Sequence, residues 1–147
     1  MISDSEMLNY VRQNTEMGID GIKVVLKHTK DNDLRRVLMN QETEYRSIYE
    51  QADHMLHERN ETTDDLNPMS KMAVKMSDMM KEMTAQTTEK IAESMIKGST
   101  MGITKIVKQM SEYDGDVEIK KLAQRLKSTE ENNIEQLKPF ALKSKEQ

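Results

Sequence analysis

One helix is written twice in this chain. Val11 to Leu26 and Met95 to Met110, superposed at an offset of 84, share Met-Gly-Ile at Met17, Gly18, Ile19 and at Met101, Gly102, Ile103, then a matching Ile22 and Ile106. A hydroxyl stands about one turn earlier in each copy, at Thr15 and Ser99. Apolar residues return at steps of three and four, the period of an amphipathic helix. Two equivalent apolar stripes have to be buried together, which points to two similar helical hairpins packed on each other.

Composition sets the class. Apolar residues make up 35% of the 147 residues and charged ones 33%, with only 5 Gly, 2 Pro and 3% aromatics. Narrow apolar stripes on polar helices fit these proportions, whereas sheets draw on β-branched and aromatic residues and on turn-forming Gly and Pro. A disordered chain would be as polar but would show no helical period. The length suits one domain, 1–147, able to bury a core without staples.

Several partners and chemistries are disfavoured at the outset. With 0 Cys there is no disulfide framework, thiolate metal site or Cys nucleophile. A net charge of −4 with interspersed signs offers no basic stripe for nucleic acid. No run approaches the ~18 apolar residues of a membrane span, and MISDSEMLNY lacks the basic and apolar regions of a signal peptide. The expectation is a cytoplasmic protein that binds neither nucleic acid nor membrane.

Taken in order, Ser3 or Ser5 caps a first helix running to about Thr29, its stripe built from Met7, Leu8, Val11, Thr15, Gly18, Ile19, Ile22, Val25 and Leu26. Lys30 to Asp33 is a short capping link, which makes the next helix an antiparallel neighbour. That helix carries Leu34, Val37, Leu38, Gln41, Tyr45, Ile48, Ala52, Met55 and Leu56. From about residue 60 to 87 runs a long crossover. It opens with NETTDDLNP and contains Met69, Met72, Met76, Met79 and Met83 at helical spacing. Unbroken from Pro68 to Met110 this helix would reach roughly 60 Å, against about 40 Å for its neighbours, so a break near Thr84 to Thr88 is expected, with Thr87 as cap. The third bundle helix carries Ala92, Met95, Ser99, Ile103, Ile106 and Met110. A tight link at Glu112 to Asp116 leads to the last, with Ile119, Leu122, Ala123, Leu126, Glu130, Asn133, Ile134, Leu137 and Phe140, before a charged tail from Lys143 to Gln147.

Hairpin, long crossover, hairpin is the order of a four-helix bundle with one long connection. The run Ala-Glu-Ser-Met-Ile-Lys-Gly-Ser-Thr-Met-Gly-Ile from Ala92 to Ile103, with the closing Glu-Glu-Asn-Asn-Ile-Glu-Gln-Leu-Lys-Pro-Phe from Glu130 to Phe140, resembles small bacterial four-helix-bundle members of the ferritin-like superfamily. The resemblance implies an all-α, ferritin-like bundle of two pseudo-repeated hairpins, whose crossover holds an extra Met-rich helix. It also implies a place for a di-metal site, where two helices each give a Glu and the other two each give Glu-x-x-His.

Here those positions are altered. Thr15 and Ser99 occupy the central points of the first and third helices, and an offset of 89 sets Gln41-x-x-Glu44 against Glu130-x-x-Asn133. Only Glu44 and Glu130 remain carboxylates, and no imidazole completes a shell for iron or manganese. Two readings follow. One is a hydrogen-bonded polar layer of Thr15, Gln41, Ser99, Glu130 and Asn133, in a binding or structural protein that uses no cofactor. The other is a metal-binding redox or iron-handling protein using Glu44 and Glu130. Burial would keep Glu130 toward its neutral form.

Other motifs are read as structural. His54 and His57, near Glu50, Asp53 and Glu58, have a spacing that can chelate a metal but face away from the stripe, where cations suit a helix C-terminus. His28 has the same setting. The Met stripe would suit Cu(I), an adaptable partner surface such as a homodimer contact, or simple packing of the crossover, the last being the expectation. Gly18 and Gly102 are expected where helix backbones approach closely.

Overall fold

The structure, a computed structural model, describes residues 1–59 and 87–142. Four long α-helices account for nearly all of them: α1 (Asp4–Leu26), α2 (Asn32–Glu58), α3 (Thr88–Ser111) and α4 (Val117–Ala141). No strand occurs among the described residues. The crossover, its Met stripe and the tail after Leu142 lie outside them.

Each helix starts at a side-chain cap of the kind its sequence offers. Ser3 accepts from the Glu6 amide while Glu6 returns a bond to the Ser3 amide, a reciprocal capping box. Asp31, Thr87 and Asp116 cap α2, α3 and α4, accepting from Leu34, Lys90 and Glu118. The first helix stops at Leu26, short of Thr29, because the chain turns where Arg35 reaches back: its Nη1 donates to the Leu26 and Thr29 carbonyls at 2.7 and 3.0 Å. Carbonyls left open by the end of a helix thus find a cationic donor.

The hairpins α1–α2 and α3–α4 pack face to face, α1 against α3 and α2 against α4. Met7, Leu8, Val11 and Ile22 of α1 meet Leu34, Leu38, Ile48 and Leu56 of α2 in one core with Ile91 and Ile106 of α3 and Ile119, Leu122, Leu126 and Leu137 of α4. Burial of each such side chain stabilises the fold by about 1.5–3 kcal/mol. On α3 the buried line is Ile91, Ala92, Ser99, Gly102 and Ile106, while Met95, Ile103 and Met110 are only half-buried. The face turned inward is therefore rotated from the expected stripe.

At one end the first residues are tied to the α3–α4 link. The Ile2 amide donates to the Glu112 carbonyl at 3.1 Å, and the Tyr113 hydroxyl donates to Asp4 Oδ1 at 2.5 Å while accepting from the Asp116 amide at 2.8 Å. Gly115 is required there, because a Cβ would lie 2.5 Å from both Asp4 Oδ1 and the Tyr113 hydroxyl. Arg59, just past α2, pairs with Asp116 at 3.0 Å. The end of α2 and the end of α3 thus share this pole of the bundle, the arrangement that a long connection between α2 and α3 requires.

Candidate functional site

The centre of the bundle is polar. Glu130, 2% exposed, projects from α4 into the core, and the Tyr45 hydroxyl of α2 donates a short hydrogen bond to its Oε1. Ser99 of α3 and Asn133 of α4 face the same phenolic oxygen, near enough to favour its ionised form. The Asn133 amide nitrogen itself stays without a partner in hydrogen-bond geometry. Around them lie apolar side chains, so every bond in this layer forms in a low dielectric and each unmet group is costly.

Burial dominates the electrostatics. It pushes Glu130 up from 4.5 to about 8, with the Tyr45 hydrogen bond pulling the other way. The same burial, followed by the neighbouring Glu130 charge, holds the Tyr45 phenol well above its ordinary value. Near neutral pH the pair is therefore a carboxylic acid and a phenol, both uncharged.

Two glycines make the room. A Cβ on Gly18 would come within 2.7 Å of the Tyr45 ring, and a Cβ on Gly102 would collide with Glu130 Oε2. Close approach was the correct expectation for these glycines, but what approaches is a ring in one hairpin and a carboxyl in the other, with no helix backbone among the nearest atoms. Asn14 adds a tie beside Gly102, its Nδ2 donating to the Gly102 carbonyl at 3.2 Å.

The offset of the internal repeat that relates α2 to α4 differs from the expected 89. Leu34, Leu38, Gln41, Tyr45, Ile48 and Ala52 are buried on α2, and Ile119, Ala123, Leu126, Glu130, Asn133 and Leu137 on α4, each pair separated by 85. One helical turn separates the two offsets. Tyr45, not Gln41, is the counterpart of Glu130, and it is the site residue that the sequence reading placed among the apolar stripe. Its own signal was available: a stripe tyrosine must find a partner for its hydroxyl.

The remaining candidates divide. Ser99, Glu130 and Asn133 come together. Thr15 is fully buried but donates to the Arg12 carbonyl of its own helix at 2.7 Å, so its hydroxyl is satisfied locally. Gln41 is buried on the α4 side, where its Nε2 donates to Gln136 Oε1 at 3.0 Å and to the Asn133 carbonyl at 3.4 Å. Glu44 is not in the layer at all. It lies half-exposed on the outside of the α2–α4 seam, taking the Arg125 Nε and Nη2 at 3.1 and 2.8 Å. Arg125 also reaches Ser47 and Gln51, which makes this corner a clamp between helices. His54 and His57 are exposed and pair along their own helix with Glu58 at 2.6 Å and Asp53 at 3.4 Å. Among the described residues no three His, Cys, Asp or Glu side chains converge as a metal site would need.

No described helix is long and apolar enough to cross a membrane. Neither a family model nor a curated protein matches the chain. Among solved structures the chain is similar to one described as "Crystal structure of DUF305 fragment from Deinococcus radiodurans", with a TM-score of 0.76 over 96% of both chains at 11% identity. At that identity the likeness establishes the shared all-helical bundle fold and nothing of function.

Proposed function

We propose that this chain is a ferritin-like bundle protein whose central site has become a hydrogen-bonded polar layer, and that it serves as a binding or structural interaction protein and not as a metal-dependent oxidase or store. One observation carries the reading: the one buried carboxyl among the described residues, Glu130, is bonded to a phenol, and the second candidate carboxylate, Glu44, is engaged outside by Arg125. A phenol, a hydroxyl, an amide and one carboxylic acid do not fit a pair of divalent ions, which need several anionic oxygens and imidazoles. The ferritin-like assignment itself is supported by the duplicated Met-Gly-Ile helix and by buried positions of α2 and α4 that recur at an offset of 85.

The test is elemental analysis of protein purified without chelator, repeated on Glu130→Ala. No stoichiometric transition metal is expected in either. Iron or manganese at about one ion or more per chain, absent from the variant, would defeat the proposal. A homodimer made through the Met-rich segment, and a cytoplasmic setting, belong to the same proposal.

A further inference from the structure

The two hairpins meet at Glu130 in an arrangement that a single proton can make or break. The carboxyl belongs to the second hairpin and its donor, Tyr45, to the first. The groups around this bond are uncharged in the closed bundle: Tyr45 of α2 donates to the carboxyl, Gly102 of α3 faces its Oε2 with Asn14 of α1 beside it, and Ser99 of α3 and Asn133 of α4 lie by the Tyr45 hydroxyl. Tyr45 is the titratable one, and among the described residues no cation acts on the carboxyl. Glu130 is 2% exposed, so its carboxyl is cut off from bulk solvent in the closed bundle.

We propose that Glu130 is a proton-operated latch between the hairpins: with the proton on, α4 closes against α2 and α3, and with the proton off, the helices part at this level to let solvent reach the carboxylate. An ionised carboxylate buried without a cation is among the costliest states a core can hold, whereas a neutral acid bonded to a phenol is tolerated. The Asn133 amide, unpartnered in the closed state, provides a donor that an ionised Glu130 can recruit once the packing loosens. Control of this kind would let a modest change of pH expose the inner faces of α2 and α4, a surface that the closed bundle keeps covered.

Hydrogen exchange on the full chain tests it. After correction for the intrinsic base dependence of exchange, opening of the α2 segment around Tyr45 and the α4 segment around Glu130 should increase about tenfold per pH unit below pH 8, then level off. The ends of the helices at Thr29 to Leu34 serve as the internal control and should show no such increase. In Glu130→Gln, which cannot ionise, the central segments should lose the pH dependence. Should that variant fail to fold, the wild-type protein still decides: the carboxyl carbon signal of Glu130 has to titrate with the same midpoint at which opening levels off. A pH-independent central segment, a Glu130 signal titrating in the ordinary carboxylate range, or pH dependence retained in Glu130→Gln would each overturn the latch.

Discussion

At the scale of single residues, Gly18 and Gly102 occupy equivalent places in a duplicated helix but protect different things. Alanine at either gains about 1 kcal/mol in helix propensity. At Gly18 it would strike the Tyr45 ring, which is buried and tied through its hydroxyl to Glu130, at an overpacking cost of about 1–3 kcal/mol. Gly18→Ala should therefore lower stability in a denaturant titration. Gly102→Ala strikes the end of a carboxyl side chain, which can rotate. Its net effect on stability should be the smaller of the two, but the displaced Glu130 should lose its bond to Tyr45, visible as an altered tyrosine hydroxyl environment in NMR. Equal losses at the two sites would argue against this division of roles.

At the scale of helices, the caps and links and most of the stripes were legible because they follow from period and local chemistry: Thr87 caps α3 as expected, and the cap of α2, Asp31, falls within the expected link. Which residues share a level was not. Because α2 and α4 are antiparallel, facing residues run in opposite directions along them, and a repeat offset of 85 or 89 leaves both stripes amphipathic while giving Glu130 a different counterpart. Thr15 does point inward, as its wheel position implies, but a helix wheel gives the direction of a side chain and not that its hydroxyl folds back onto Arg12. Glu44 is half-exposed at the α2–α4 seam, where a facing cation decides the outcome; here Arg125 draws it outward. The clamp it forms is about two-fifths exposed, so Arg125→Ala should cost no more than about 1 kcal/mol. Asp31→Ala should cost a similar ~1 kcal/mol through the lost cap, whereas Leu126→Ala, beside the same seam but fully buried, should cost about 2–5 kcal/mol. Thermal or urea unfolding of the three variants checks the order. An Arg125 variant as damaging as Leu126→Ala would mean that the clamp, not the core, joins the hairpins.

At the scale of the whole molecule, one buried acid tilts stability against pH. Glu130 is raised in the folded state, so between about 4.5 and about 8 the native bundle holds a proton that the unfolded chain has released. Stability then falls as pH rises through that window, by at most about 1.4 kcal/mol per unit for one proton, and levels off above it. Asp114, held below its ordinary value by its hydrogen bond from Lys120, acts in the opposite sense and at lower pH. The measurable signature is a denaturation midpoint that declines from pH 5 to pH 8 in the wild-type protein and declines less in Glu130→Gln. An equal slope in both would assign the pH dependence to other groups.

The knot of contacts at the pole of the bundle also bears on the order of events during synthesis. Asp4 and Ile2 emerge more than a hundred residues ahead of their partners Tyr113, Gly115 and Glu112. The start of α1 must wait for the second hairpin to be made before its last bonds can form. A nascent chain cut off anywhere before that link carries a first hairpin that is open at one end, with the Tyr45 hydroxyl and the Asp4 carboxylate both lacking the partners that finish them.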